Sequence, residues 1–140
     1  MKAASLEQRV TQRIDRKRSD VFLRSDFADL GGYDQIGRVL LGLVRKGRLL
    51  RIGQGLYTRA APSPFDGTPT PLKGLRTLAA EALRRFGIET TPTRLEEAYN
   101  AGKTTQVPAG RVLGVRKRVR RQIGYNGVYV SYERVRPRPR

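Results

Sequence analysis

The residues best suited to chemistry in this sequence are its arginines. Arg occurs 23 times and Lys 6 times against 12 Asp and Glu, for a formal charge of +17 at pH 7, while Cys and His are absent. The planar guanidinium fork meets phosphate oxygens two at a time, so a polyanion is the expected partner. Without thiolate or imidazole there is no soft metal ligand and no Cys or His nucleophile or base, which excludes zinc fingers and leaves any catalysis to carboxylates, Lys or Tyr. We therefore expect a binding protein, not an enzyme, with no metal and no cofactor.

Two patterns that look catalytic fail on spacing. Ala101-Gly102-Lys103-Thr104 has the ending of a phosphate-cradling loop, but the glycine required five residues before Gly102 is Glu97, and no strand leads into it. The pairs Asp26/Asp29 and Glu96/Glu97 read as helix caps or surface acids, with no partner groups for hydrolysis or two-metal work.

The cations and their polar neighbours fall into three groups. Tyr33, Gln35 and Arg38 stand at the start of a strong helical pattern, away from its apolar stripe, where Gln suits adenine and Arg suits guanine. Ser25, Arg48, Arg51, Gln54 and Arg59 lie on flanking turns and a glycine-bounded hairpin, and Arg13 and Lys17, with Lys2, Arg9, Arg16 and Arg18, lie on or beside a first helix. These are the expected phosphate contacts, although the hairpin charges also suit an exposed sheet edge and the helix charges suit its C-terminal dipole. Arg111, Arg116, Lys117, Arg118, Arg120 and Arg121 form a denser patch, in a stretch with no acid between Glu97 and Glu133. That patch reads either as a second nucleic-acid or acidic-protein surface or as a solubilising face.

Positioning these groups requires an ordered set of elements. Ser5 and Gln8 form a capping box ahead of Leu6, Val10 and Ile14 at helical spacing; Val21 to Leu23 is extended; and Ser25 is placed to cap a brief second helix ending at Gly31-Gly32. From Tyr33 to Lys46 the residues Ile36, Val39, Leu40, Leu43 and Val44 recur at i, i+3, i+4, i+7 and i+8, with Gly47 as the stop. Arg48 to Ile52 and Leu56 to Arg59 then alternate around Gly53-Gln54-Gly55, and Tyr57 reads as core. This is the order of a winged helix-turn-helix over residues 1–61.

Four of the 8 prolines fall between Pro62 and Pro71, read as a linker over 62–71. Residues 72–133 read as a small α+β domain with antiparallel strands: a helix over Leu75, Leu78, Ala79, Ala82, Leu83 and Phe86, a Thr93/Glu96 capping box, then strands at Val112 to Val115, Val119 to Ile123 and Val128 to Tyr132. An Asn126-Gly127 turn joins the last two, and alternation along Arg116 to Ile123 would set some of the charges on one sheet face. Residues 134–140 read as a basic mobile tail. The fold class is thus α+β. No stretch is long and apolar enough for a signal or a membrane span, and with no Cys we expect a cytoplasmic protein.

The stretch VFLRSDFADLGGYDQIGRVLLGLVRKGRLLRIGQGLYTRA, residues 21–60, resembles the N-terminal winged helix of AbiE-type (type IV) antitoxins. Asp26-Phe27, Leu43 to Gly47 and Arg51-Ile52 with Gly55-Leu56-Tyr57 carry the likeness. Arg85-Phe86-Gly87 followed by Thr104-Thr105-Gln106-Val107-Pro108 resembles the second half of the same family, whereas Thr93 to Lys103 and the dense cluster from Arg116 depart from it. The resemblance implies a transcriptional repressor that binds double-stranded DNA at repeats in its own promoter, with a nucleotidyltransferase-like toxin as its functional counterpart. The residues alone leave two other classes open: an RNA or ribonucleoprotein-binding module built on the Arg116 to Arg121 patch, and a DNA-binding regulator or protein-binding antitoxin without the other role.

Overall fold

The computed structural model describes residues 3–108 and 110–137, so Lys2 and the tail residues Arg138 to Arg140 lie outside the described residues. The chain is mixed α+β and divides into two units, Met1–Lys73 and Gly74–Arg140.

In the first unit, helix α1 spans Leu6–Arg16 and opens with the expected reciprocal box. Gln8 N donates to Ser5 Oγ at 3.1 Å and Ser5 N to Gln8 Oε1 at 2.7 Å. Strand β1 (Val21–Leu23), a 3-10 turn (Arg24–Phe27), helix α2 (Tyr33–Arg45), and strands β2 (Leu49–Gly53), β3 (Leu56–Pro62) and β4 (Pro69–Pro71) follow. The sheet is antiparallel in the order β1-β3-β2, with β4 on the far end of β3. Its core joins Val10 and Ile14 of α1 to Phe22, Phe27, Ile36, Leu40, Leu43, Leu49 and Tyr57, so the apolar stripes of both helices face one cluster.

Three expectations are corrected here. The second helix is only the 3-10 turn, because Gly31-Gly32 stops the chain before an α-helical ladder can close. Asp26, not Ser25, caps it: Leu23 N donates to Asp26 Oδ2 at 2.9 Å, while Ser25 is exposed. The Pro-rich stretch is a hairpin of the first unit and not a linker, with Ala60, Ala61 and Pro62 opposite Pro71, Thr70 and Pro69. Prolines are tolerated because β4 is an edge strand, whose outer side has no ladder to feed. Asp66 closes the turn by accepting from the Thr68 hydroxyl at 2.7 Å and the Thr68 N–H at 3.0 Å, and these bonds hold its carboxyl below the usual aspartate range.

The second unit contains α3 (Leu75–Arg85), β5 (Thr90–Thr91), α4 (Arg94–Asn100), β6 (Val112–Val115), β7 (Gly124–Tyr125), β8 (Val128–Tyr129) and β9 (Ser131–Arg134). Leu78, Ala79, Ala82 and Leu83 of α3 are buried, as are Leu113, Val115, Ile123 and Val130. β5 pairs β6 antiparallel, but β6 pairs β9 in parallel, which departs from an all-antiparallel reading. A parallel pair needs a crossover, and residues 116–130 supply it as an unpaired segment followed by the β7–β8 hairpin. Within it Val119 to Ile123 is not a strand, so the basic cluster sits on a loop, not on a sheet face. The hairpin turn is the one Asn-Gly predicts, with positive φ at both Asn126 (52°) and Gly127 (76°). Residues 134–136 belong to the fold and not to a tail: Arg134 is paired in β9, Val135 is buried, and Arg136 O accepts from Arg94 Nη2.

Arg76 ties this unit together, donating to Val112 O at 2.6 Å and to both Glu96 oxygens at 2.9 and 2.7 Å. Glu96 also accepts from Thr93 N at 3.1 Å, completing the α4 box. Burial pushes the Glu96 carboxyl up, but the bonds from Thr93 and Arg76 outweigh it and hold the group below its ordinary value. Among the described residues no helix is long and apolar enough to cross a membrane.

Candidate nucleic-acid interface

The central residue of the first unit's surface is Arg24, which the sequence reading passed over. Its backbone N–H donates to Gly55 O, 3.2 Å away in the β2–β3 turn, and its guanidinium Nε donates to Tyr33 O at 3.0 Å at the start of α2. The guanidinium lies over the Tyr33 ring, 3.5 Å from its centroid, and against the backbone of Gly37, where an added Cβ would meet Nη2 at 2.1 Å. A glycine inside a helix costs about 1 kcal/mol relative to alanine. Gly37 is therefore the trace that Arg24 leaves in the sequence. One residue thus brackets the hairpin turn and the first two turns of α2 along one edge.

On that edge Tyr33 is 74% exposed, and Gln35 and Arg38 are exposed beside it. Arg38 has no hydrogen bond or acidic partner among the described residues. Gln35 is half engaged, since Gly32 N donates to its Oε1 at 3.2 Å and closes the helix start. Its amide NH₂ and the second lone pair of Oε1 stay available for the two bonds that bidentate adenine reading uses. In the hairpin, Gln54 is exposed at the turn, and among the described residues Arg51 Nε donates only to its own strand at Gly53 O, 3.3 Å away. Arg48 stands at the opposite end of β2, beside the C-terminus of α2, with Arg48 N donating to Leu43 O. It is separated from the turn by most of the strand.

Three of the expected phosphate contacts are tied into the fold. The Arg59 guanidinium caps the C-terminal end of α1, donating to Ile14 O and Lys17 O at 2.5 Å and to Ser19 O at 2.8 Å, with Asp20 3.6 Å away. Arg13 pairs through both nitrogens with Asp29 and donates to Asp26 O at 3.0 Å, and the Arg13 bond holds the Asp29 carboxyl below its usual range. Lys17 lies 3.8 Å from Asp26. With Arg24 near Asp34 and Lys46 on Glu7, most acids of this unit are bound to fold-holding cations.

The remaining cations of α1 therefore face solvent unneutralised. Arg9, Gln12, Arg13, Arg16 and Lys17, at i, i+3, i+4, i+7 and i+8, line a cleft of about 390 Å³ with Leu30, three residues before α2. Arg9 and Arg16 are exposed and have no partner among the described residues. This cationic wall leads towards the start of α2.

In the second unit Arg111, Arg116, Lys117, Arg118, Arg120 and Arg121 are all exposed, and Arg121 also stacks on Phe86, 3.7 Å from the ring centroid. No curated protein and no solved structure matches the chain. The model of a family of unknown function, DUF6088, matches residues 9–137, and the chain belongs to that family.

Proposed function

We propose that residues 1–73 form a winged helix-turn-helix that binds duplex DNA, with the first turns of α2 on base edges and the β2–β3 turn and the α1 cleft on flanking phosphates. The single observation that supports this most is the Arg24 bracket, which sets the hairpin turn and the start of α2 on one edge. The order α1, β1, turn, α2, β2, β3 with sheet order β1-β3-β2 agrees with it. So does the pairing of acids with fold-holding cations, which leaves Arg9, Arg16, Arg38 and Arg51 for a polyanion. No catalytic step is assigned, and the protein acts as a cytoplasmic regulator.

Enrichment of bound sequences from a randomised duplex pool tests the reading. Arg38→Ala should cost about 1–3 kcal/mol on the enriched duplex and relax one base position. An equal loss on enriched and shuffled duplexes would contradict base reading by Arg38.

The resemblance of residues 21–60 and 104–108 to AbiE-type antitoxins supports an autorepressor that opposes a nucleotidyltransferase-like toxin. Co-expression with such a toxin encoded beside this chain should restore growth. Persistent arrest would leave a DNA-binding regulator without the antitoxin role.

A further inference from the structure

The loop from Arg116 to Gln122 is held at both ends and along one side. It leaves β6 after buried Val115 and enters β7 after buried Ile123, and Tyr132 Oη donates to Arg121 O at 2.9 Å. Between these anchors Val119 is half-buried and Ile123 is buried, while Arg118, Arg120, Arg121 and Gln122 are exposed, Arg121 with its guanidinium stacked on Phe86. Arg116 and Lys117 add two exposed cations at the preceding bend. Arg116, Lys117, Arg118 and Arg120 have no hydrogen bond or acidic partner among the described residues. That contrasts with Arg76 and Arg94 of the same unit, which are engaged by Glu96 and Glu97.

Gly124, the first residue of β7, follows this segment, and an aromatic ring lies on it. A Cβ there would lie 2.7 Å from Tyr129 Cδ1 and 2.0 Å from Val128 O, so the ring rests on the glycine backbone. Tyr129 is nevertheless 47% exposed. The row thus runs from cations through an amide to an open ring.

We propose that this row is a second nucleic-acid site, which takes a single-stranded polynucleotide with its phosphates on Arg116, Lys117, Arg118 and Arg120 and a base stacked on Tyr129. Unpaired cations with an adjacent aromatic face are how unstacked bases and a flexible backbone are held together. Duplex DNA fits less well, because its bases are already stacked and cannot reach the ring. An acidic protein would use the cations and leave the ring idle. The site is independent of the duplex reading of the first unit.

The test is fluorescence anisotropy of the full chain with labelled oligo-dT and oligo-rU of about 12 nucleotides, within the reach of one small binding unit, and a random-sequence duplex of the same length. Tyr129→Ala should weaken both single strands about 5- to 150-fold and leave the duplex unchanged, while Tyr129→Phe should retain wild-type affinity. Arg118→Gln with Arg120→Gln should reduce the slope of log K against log salt on the single strands by about 1.4. Equal affinity for the two single strands assigns the site to backbone and ring alone, and tighter rU binding adds the ribose hydroxyl; both support the site. Failure of Tyr129→Ala to weaken single-strand binding, or an equal loss on the duplex, overturns it. Arg9→Gln with Arg16→Gln serves as the control: a deficit confined to the duplex marks the first unit's interface, so the two readings can fail separately.

Discussion

Replacing Arg9, Arg16, Arg38 and Arg51 together by Gln is expected to lower the slope of log K against log salt for duplex binding by about 2.7, at about 0.9 for each of the phosphate contacts Arg9, Arg16 and Arg51, with Arg38 on a base edge. At about 0.1 M salt each neutralised phosphate is worth about 0.9 of a decade, so affinity for any duplex should fall by about 500-fold. The fold should be untouched. Arg9, Arg16 and Arg38 have no partner among the described residues, and Arg51 bonds only to its own strand at Gly53 O. The same formal change made at Arg13, Arg24 and Arg59 should act in the opposite way. Those three guanidiniums hold Asp29, Tyr33 O and the last carbonyls of α1, so their loss should appear first as a lower melting temperature. A salt titration beside a melting curve for each triple and quadruple variant separates the two classes. An unchanged slope in the quadruple variant would remove α1, α2 and the hairpin from the interface.

Phe27→Ala should cost the first unit about 3–5 kcal/mol, the range for deleting a fully buried phenyl ring. Phe27 is fully buried and lies tilted against Phe22, with ring centroids 6.4 Å apart, in the cluster that also holds Ile36 and Leu40 of α2. Small domains rarely have stability far above 5 kcal/mol, so the variant should leave much of α1 to β4 unfolded at 37 °C. Hydrogen exchange on residues 6–62 measures this directly. A change under about 1 kcal/mol would mean that α2 does not depend on this core for its seat. Duplex affinity should fall with the folded fraction.

How far the sequence could be read depended on how local each cause was. The Ser5/Gln8 and Thr93/Glu96 boxes, the α2 stripe and the Asn126-Gly127 turn are each decided within a few residues, and each stands where its pattern places it. The parallel pairing of β6 with β9 is not local, and nothing in Val112 to Val115 distinguishes a parallel partner from an antiparallel one. Pro69 and Pro71 have the composition of a linker, while an unpaired outer edge makes them acceptable in a strand.

The site was legible in part for the same reason. Charge composition says that cations are in excess, but not which ones an acid or a helix end will capture. Arg59 reaches Ile14 O and Lys17 O across more than 40 residues, so its role follows from the sheet and not from its neighbours. The one sequence signal for Arg24 was Gly37, an otherwise unfavourable residue in the middle of a well-formed helix.

The most direct measurement is the affinity of the unmodified chain for an enriched duplex and for a shuffled duplex of equal length, taken from about 50 mM to about 200 mM salt. Sequence reading from the start of α2 predicts that both affinities fall with salt while the enriched duplex stays at least about 10³-fold tighter throughout. Equal affinities at every salt concentration would contradict it, leaving the positive charge of the first unit as a phosphate surface with no reading head.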